Sequence, residues 1–261
     1  MTRLGVLGHP IAHSKSPLLH AAAYRVLGLD WEYSAIDVDE AALAGFVSAL
    51  DDGWRGLSLT MPLKRAVLPL LDWADPLVGL TGGANTVLLD NGTLRGFNTD
   101  VYGVWAALSA TGHTNFDRVS ILGGGATAAS VIVAVEQLGA EDVEVLVRTA
   151  ANAAPLVALG ERLGLDVTVR ALGGSVAADV VVSTLPGGTT HGTQFEGSSL
   201  LLDVAYDPWP SSLAANWNGQ VVSGLEMLLH QAHAQVATFV TGSPAGDLDA
   251  AVLPAMRAAI A

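Results

Sequence analysis

The chain has 261 residues, of which 51% are hydrophobic and 14% are charged, and this composition excludes a disordered chain. It contains no cysteine, which excludes disulfides, thiolate-bound zinc and a cysteine nucleophile. The formal net charge is −13, from 12 basic and 25 acidic residues, so we expect no nucleic-acid partner, because phosphate binding needs clustered Lys and Arg.

Short strand-like and helix-like runs alternate along the first hundred residues, which predicts an α/β fold. The predicted strands are Arg3–Leu7, Trp31–Asp37 and Gly56–Leu59. The predicted helices are Pro17–Leu27, with Ser16 as its N-cap, Glu40–Leu50 and Arg65–Leu71. A hairpin is predicted from Ala84–Leu89 and Thr93–Phe97, because Asn91-Gly92 between them is typical of a two-residue turn.

The pattern restarts after a predicted helix at Tyr102–Thr111. Val119–Leu122, Thr127–Leu138 and Val143–Val147 read as strand, helix and strand, which is a βαβ unit. The remaining predicted elements are strands at Val167–Arg170, Val180–Ser183, Leu200–Asp203 and Val221–Ser223, and helices at Leu225–Val240 and Leu248–Ile260. We therefore predict an N-terminal α/β substrate domain, residues 1–101 plus 235–261, and a Rossmann-type dinucleotide-binding domain, residues 102–234.

A glycine-rich turn is the clearest local motif. Gly123, Gly124, Gly125, Ala126 and Thr127 follow a predicted strand and open a predicted helix. Glycine permits a tight turn and a close approach to pyrophosphate, and the start of the helix offers free N–H groups. The motif predicts a dinucleotide site, although an ordinary strand-to-helix loop would share the pattern.

The end of the next strand indicates which dinucleotide would bind. NAD-binding proteins place an acidic residue here, roughly 20 residues after the glycines, to bind the ribose hydroxyls. This chain has Arg148 and Thr149 instead, which would bind a 2′-phosphate through charge-assisted hydrogen bonds. We therefore predict NADP as the cofactor, with a solvent-exposed Arg148 of no function as the alternative.

Two loops of the first domain carry polar side chains between apolar strands. Ser14 and Ser16 stand at the start of a predicted helix, where hydroxyls and free backbone amides suit a carboxylate. Lys64 follows the apolar Met61-Pro62-Leu63 and is a candidate for proton transfer, although a lone Lys in a loop is more often a surface residue.

Two Asn-Thr pairs end neighbouring predicted strands. Asn85-Thr86 and Asn98-Thr99 could converge on a polyol, and Asp100 close to Lys64 would form an acid–base pair. The pair His230-x-x-His233 has helical spacing, but no carboxylate pattern accompanies it, and we predict no metal site.

Taken together, these stretches resemble the shikimate dehydrogenase family in order and spacing along nearly the whole chain. The family's S-x-S-P matches Ser14 and Ser16, which the resemblance implies bind the substrate carboxylate. The family's T-x-P-x-K matches Thr60 and Lys64, which implies substrate contact by Thr60 and catalysis by Lys64. The family's N-T and N-T-D motifs match at Asn85 and Asp100, which the resemblance implies bind ring hydroxyls, with Asp100 also partnering Lys64.

The resemblance continues late in the chain, in DVAYDP and GLEMLLHQA. It implies that Tyr206 and Gln231 face the substrate, and that Gly224 and Met227 lie near the nicotinamide. The chain departs from the family pattern at Ser58 and Val101, where Asn and Gly are usual, and in the residues around the two cofactor motifs.

The resemblance implies reversible, NADPH-dependent reduction of 3-dehydroshikimate to shikimate in aromatic amino-acid biosynthesis. Three alternatives stay open: a quinate/shikimate dehydrogenase with broader substrate or NAD use, a folate-type dinucleotide enzyme, and a non-catalytic sensor of cofactor or shikimate. The amino terminus lacks a signal-like apolar run and the longest apolar runs are strand-sized, so we expect a cytoplasmic protein with no membrane partner. Whether it forms a homodimer is left open.

Overall fold

The computed structural model of the protein describes residues 1–189, 191–197 and 200–261, without the side chain of residue 152. Internal contacts divide the chain into a first unit, Met1–Thr99 with Leu228–Ala261, and a second unit, Asp100–Met227. The predicted domain boundaries, after residues 101 and 234, differ from this division by two and by seven residues. Residues 228–234 group with the first unit because Leu229 and Ala232 are buried in its hydrophobic core.

The secondary structure alternates along the whole chain. The strands are β1 Thr2–Gly8, β2 Trp31–Asp37, β3 Trp54–Leu59, β4 Trp73–Ala74, β5 Thr86–Asp90, β6 Thr93–Phe97, β7 Arg118–Leu122, β8 Asp142–Val147, β9 Asp166–Ala171, β10 Gly174–Ala177, β11 Val180–Ser183, β12 Thr193–Glu196, β13 Leu200–Asp203 and β14 Gln220–Ser223. The α-helices are α1 Ser16–Val26, α2 Glu40–Ser48, α3 Leu63–Ala66, α4 Pro76–Thr81, α5 Asp100–Ser109, α6 Ala126–Glu136, α7 Ala154–Leu163, α8 Ser212–Ala215, α9 Gly224–Thr241 and α10 Val252–Ala258.

The first unit is built on a mixed six-stranded sheet in the order β2-β1-β3-β5-β6-β4. Strands β1, β2 and β3 are parallel, whereas β5 pairs antiparallel with both β3 and β6. The predicted hairpin of β5 and β6 is confirmed, and its turn residues Asn91 and Gly92 have φ values of 50° and 78°. Such left-handed values are what a two-residue hairpin turn requires.

Alternate residues of this sheet face two separate hydrophobic clusters, because successive side chains of a strand point to opposite faces. Leu4 and Val6 of β1 pack with residues of α1, α9 and α10. Leu57 and Leu59 of β3 pack on the other face with residues of α2 and α3. Ser58, between those two leucines, therefore points to the face covered by α1 and α9.

The second unit contains a six-stranded parallel sheet in the order β14-β13-β11-β7-β8-β9. Read from β7 as the first strand, this is the order 3-2-1-4-5-6 of the dinucleotide-binding Rossmann fold. The predicted α/β fold with a Rossmann-type unit is confirmed. The sequence patterns did not predict α7, or the two-stranded parallel sheet of β10 and β12.

In the described part of the chain, no helix is both long enough and apolar enough to span a bilayer.

Candidate functional site

The carboxyl ends of β1 and β3 bring two of the predicted motifs together. The N–H of Thr60 donates to the carbonyl of Leu7 at 2.9 Å, and the N–H of His9 donates to the carbonyl of Met61 at 3.0 Å. A Cβ on Gly8 would lie 2.4 Å from Cγ2 of Thr60, so glycine permits this close approach. The loop that leads to Ser14 therefore lies beside the loop of Thr60.

The two serines are arranged differently from the sequence prediction. Helix α1 begins at Ser16 itself and Lys15 is the N-cap residue, so the prediction of Ser16 as the N-cap is wrong. The hydroxyl of Ser14 instead accepts the backbone N–H of Ser16 at 3.3 Å. Ser14 is half-buried and Ser16 is buried, and both stand at the start of α1, where backbone N–H groups lack helical partners.

Lys64 lies in the short helix α3, next to the segment that carries Asn85. Its carbonyl accepts the N–H of Ala84 at 2.9 Å, and the N–H of Leu59 donates to the carbonyl of Asn85 at 2.8 Å. The Lys64 side chain is half-buried. The backbone thus holds the segments of Thr60, Lys64 and Asn85 side by side.

Asn85 is the centre of a buried cluster of amides and hydroxyls, and only 1% of it is exposed. Its Oδ1 accepts from the N–H of Thr99 and from the hydroxyl of Thr86, each at 2.8 Å. Its Nδ2 donates to Oγ1 of Thr99 at 2.9 Å and to Oε1 of Gln231 at 3.1 Å. The Asn85 amide therefore forms hydrogen bonds with residues of β5, of the segment after β6 and of α9.

Asn98 is directed to a different set of partners. Its Nδ2 donates to Oγ1 of Thr81 at 2.9 Å and to the carbonyl of Gly83 at 3.0 Å. These bonds hold the end of α4, so the amide nitrogen of Asn98 has a structural role. The convergence of both Asn-Thr pairs on one polyol stays a prediction.

Asp100 is the first residue of α5 and is buried, directly after Thr99 of the Asn85 cluster. It is grouped with the second unit, whereas Lys64 is grouped with the first. The pairing of these two side chains stays a prediction.

The glycine-rich turn joins β7 to α6 in the second unit. Gly123 has a φ of 105°, and a Cβ there would lie 2.4 Å from Oγ1 of Thr184, which follows β11. Gly125 has open space around it and is the N-cap residue of α6, without a side-chain cap. The strand order reverses between β7 and β11, and folds of this kind bind nucleotides at that reversal. The turn, with Gly124, Ala126 and Thr127, fits a pyrophosphate.

Arg148 and Thr149 follow β8, the neighbour of β7, and both are exposed. Among the described residues, neither side chain has a hydrogen bond or an ion pair. Both are therefore available to bind a phosphate group.

The three remaining predicted site residues lie near β13 and at the start of α9. A Cβ on Gly224 would lie 2.1 Å from the carbonyl oxygen of Val204, so packing within the second unit already requires glycine there. Met227 is buried and Tyr206 is half-buried. Their contacts with substrate and nicotinamide stay predictions.

Comparisons with known proteins identify the family. Residues 6–87 match the family described as the shikimate dehydrogenase substrate binding domain. The NADP(+) shikimate dehydrogenase of Methanothermobacter thermautotrophicus is 34% identical over 87% of each chain. The chain belongs to the shikimate dehydrogenase family.

Solved structures of this family have the same fold. The crystal structure of Mycobacterium tuberculosis shikimate dehydrogenase matches with a TM-score of 0.85 and 40% identity, covering 100% of this chain and 99% of that one. The shikimate 5-dehydrogenase of Thermus thermophilus, crystallised with NADP(H) and shikimate, has a TM-score of 0.82 and 33% identity, over 99% and 100% of the two chains. The resemblance drawn from the motifs is confirmed.

The sequence did not predict a second layer of polar side chains, formed by Tyr33, Ser58 and Gln235, that packs behind the Asn85 cluster. The hydroxyl of Tyr33 donates to Ser58 at 2.7 Å, and Ser58 donates to Oε1 of Gln235 at 2.9 Å. The one available signal was Gln235 four residues after Gln231, because that spacing puts two amides on one face of an apolar helix.

His20 packs against Tyr33 and Gln235 of this layer, inside the first unit. It is fully buried, its ring stacks on Tyr33 with centroids 3.8 Å apart, and its Nδ1 lies 2.9 Å from the hydroxyl of Tyr24. Its Nε2 lies 3.4 Å from Oε1 of Gln235. Burial lowers the pKa of His20 to about 3, so the imidazole is neutral in the folded protein at neutral pH.

The neutral His20 gives a prediction for stability. Below its ordinary pKa of 6.5, the unfolded chain takes up a proton that the folded protein does not, until the pH reaches about 3. The free energy of unfolding should therefore decrease as the pH is lowered from about 6.5 to about 3, by up to about 1.4 kcal/mol per pH unit from His20 alone. Denaturant titrations of wild type and His20→Gln would measure this as a difference in slope. Parallel slopes for the two proteins would contradict it.

Proposed function

We propose that the protein is an NADP-dependent shikimate dehydrogenase, which interconverts 3-dehydroshikimate and shikimate and works in the direction of reduction in aromatic amino-acid biosynthesis. The observation that carries this proposal is the buried Asn85 cluster, held beside the segment of Lys64. The chain is also similar over its whole length to an enzyme solved with NADP(H) and shikimate.

The first unit offers groups for each part of a small carboxylated polyol. Ser14 and Ser16, at the start of α1, would bind the carboxylate through their hydroxyls and the free N–H groups of the helix. Asn85 and Gln231, which are hydrogen-bonded to each other, would bind ring hydroxyls. Thr60 and Tyr206 would also contact the substrate. These groups are neutral, so the helix N–H groups supply the attraction for the anion.

The second unit offers groups that fit NADP. The turn Gly123–Thr127 would hold the pyrophosphate, and Arg148 with Thr149 would hold the 2′-phosphate. Gly224 and Met227 would lie against the nicotinamide. When bound, the cofactor supplies or accepts the hydride of the reaction.

Lys64 and Asp100 would act on the reacting oxygen. In the reducing direction the ketone carbon gains a hydride and its oxygen needs one proton, which the Lys64 ammonium donates. Asp100 accepts a hydrogen bond from the resulting hydroxyl and orients Lys64. In the oxidising direction Lys64 takes the proton back, so the two residues serve both directions.

A matrix of substrates and cofactors tests the proposal. Purified protein is assayed by absorbance of the reduced nicotinamide, with shikimate or quinate and with NADP or NAD. The highest kcat/KM is expected for shikimate with NADP. A preference for quinate or for NAD would instead favour a broader polyol-acid dehydrogenase. Binding of shikimate without turnover would favour a sensor.

A further inference from the structure

The amides of Asn85, Gln231 and Gln235 each have a hydrogen bond to the backbone, and these bonds determine which end of each amide is oxygen. A backbone N–H can only donate and a backbone carbonyl can only accept. The atom of Asn85 that faces the N–H of Thr99 at 2.8 Å must therefore be the oxygen. Its nitrogen then faces Gln231.

The same reasoning orients Gln231. Its nitrogen donates to the carbonyl of Leu228 at 3.0 Å, so its oxygen is the atom that accepts from Nδ2 of Asn85 at 3.1 Å. Within the residues that the structure describes, the second proton on the Gln231 nitrogen has no partner, and the side chain is 7% exposed. Gln231 therefore offers a ligand an N–H donor.

Gln235 controls the direction of the bonds behind Asn85. Its nitrogen donates to the carbonyl of Asn85 and to Oγ1 of Thr86, each at 3.1 Å. The Gln235 nitrogen cannot accept a hydrogen bond, so the single proton of Thr86 is directed to Oδ1 of Asn85, 2.8 Å away. The oxygen of Gln235 accepts from Ser58, which in turn accepts from Tyr33.

We infer that Gln235, which is 2% exposed, is a positioning residue. Its bonds to the Asn85 carbonyl and to Thr86 hold the Asn85 amide in place, and the bond from Asn85 to Gln231 then keeps Gln231 ordered, so that Gln231 presents an N–H to an acceptor oxygen on the substrate ring. This inference rests on the proposed function for the identity of the substrate. The orientation of the amides is a property of the protein without substrate, and it can be tested separately.

The variant Gln235→Glu has nearly the same shape but reverses the hydrogen bonding. An ionised carboxylate has no proton for the Asn85 carbonyl, and it draws the Thr86 proton away from Oδ1 of Asn85. We expect KM for shikimate to rise about tenfold, with KM for NADP and kcat within about twofold of wild type. Nε2 of His20 lies 3.4 Å from this position, so the Glu and His20 would titrate as a pair. Lowering the pH until the carboxylate of this pair is neutral should reduce this KM towards the wild-type value, a pH profile that the wild type does not show.

Two further variants make the test independent of folding defects. Gln235→Met keeps the length of the side chain without donor or acceptor, and should raise KM for shikimate without the added pH dependence. Thr238→Val is the matched control, because Thr238 is also buried on α9, and among the described residues its hydroxyl bonds only within the helix, to the carbonyl of Ala234. Equal KM values for shikimate in the Gln235 and Thr238 variants would overturn the inference.

Nuclear magnetic resonance of the substrate-free protein supplies the second readout. The side-chain amide protons of Asn85 should exchange slowly with solvent in wild type and in Thr238→Val, and at least about tenfold faster in Gln235→Met, because lost hydrogen bonds open the cluster. Unchanged exchange in Gln235→Met would also overturn the inference. If wild type fails to oxidise shikimate, the proposed function falls, and amide exchange still decides whether Gln235 positions Asn85.

Discussion

Replacing Lys64 with alanine is expected to lower kcat by about 10²–10⁴-fold, with little change in KM for shikimate, because a positioned proton donor acts mainly in the transition state. The Lys64 segment is held by its own backbone bond to Ala84, so removing the side chain leaves that contact in place. Steady-state kinetics in both directions, with shikimate and with 3-dehydroshikimate, measure the effect.

Arg65 provides the matched control for Lys64. It is the next residue of α3, carries the same charge and is exposed. Arg65→Ala should therefore keep kcat and KM within about twofold of wild type, as is usual for a surface substitution. An unchanged kcat in Lys64→Ala would remove Lys64 from the mechanism, and an equal loss in Arg65→Ala would show that the helix rather than the lysine matters.

Replacing Arg148 with alanine is expected to lower kcat/KM for NADP by about 10- to 100-fold, since a hydrogen bond to a charged group contributes roughly 1.5–3 kcal/mol. The value for NAD should change by less than about threefold, because NAD lacks the 2′-phosphate that Arg148 would bind. Kinetics with saturating shikimate and varied cofactor give both ratios from one preparation.

Arg25→Ala controls for the loss of one positive charge from an acidic protein. Arg25 is exposed in the last turn of α1, in the first unit. It should leave the preference for NADP unchanged. Equal losses with NADP and NAD in Arg148→Ala would argue that Arg148 contacts a part that both cofactors share, or supports the loop itself.

Features that depend on neighbouring residues could be predicted from the sequence. The turn at Asn91-Gly92 and the glycine turn at Gly123 both have left-handed backbone conformations in the structure. The residue type at a single position indicates a positive φ there, because only glycine, and less often asparagine, adopts positive φ at low cost. The alternation of strands and helices, and so the α/β class, follows from equally local patterns.

Features that depend on distant residues could not be predicted. Ser58 and Gln235 are 177 positions apart and meet only because β3 and α9 pack on one face of the sheet. Gly224 illustrates the same limit, since its motif suggested a place beside the nicotinamide whereas the structure also shows packing against Val204. Neither contact leaves a periodic signal in the chain.

The sequence by itself determined the fold class and the family, because those depend on residue types at short spacings. Only the tertiary structure decided which way the amides of Asn85, Gln231 and Gln235 point, since each is oriented by a backbone group from another segment or turn. Hydrogen-bond direction is a property of packed neighbours, and the order of residues along a chain does not contain it.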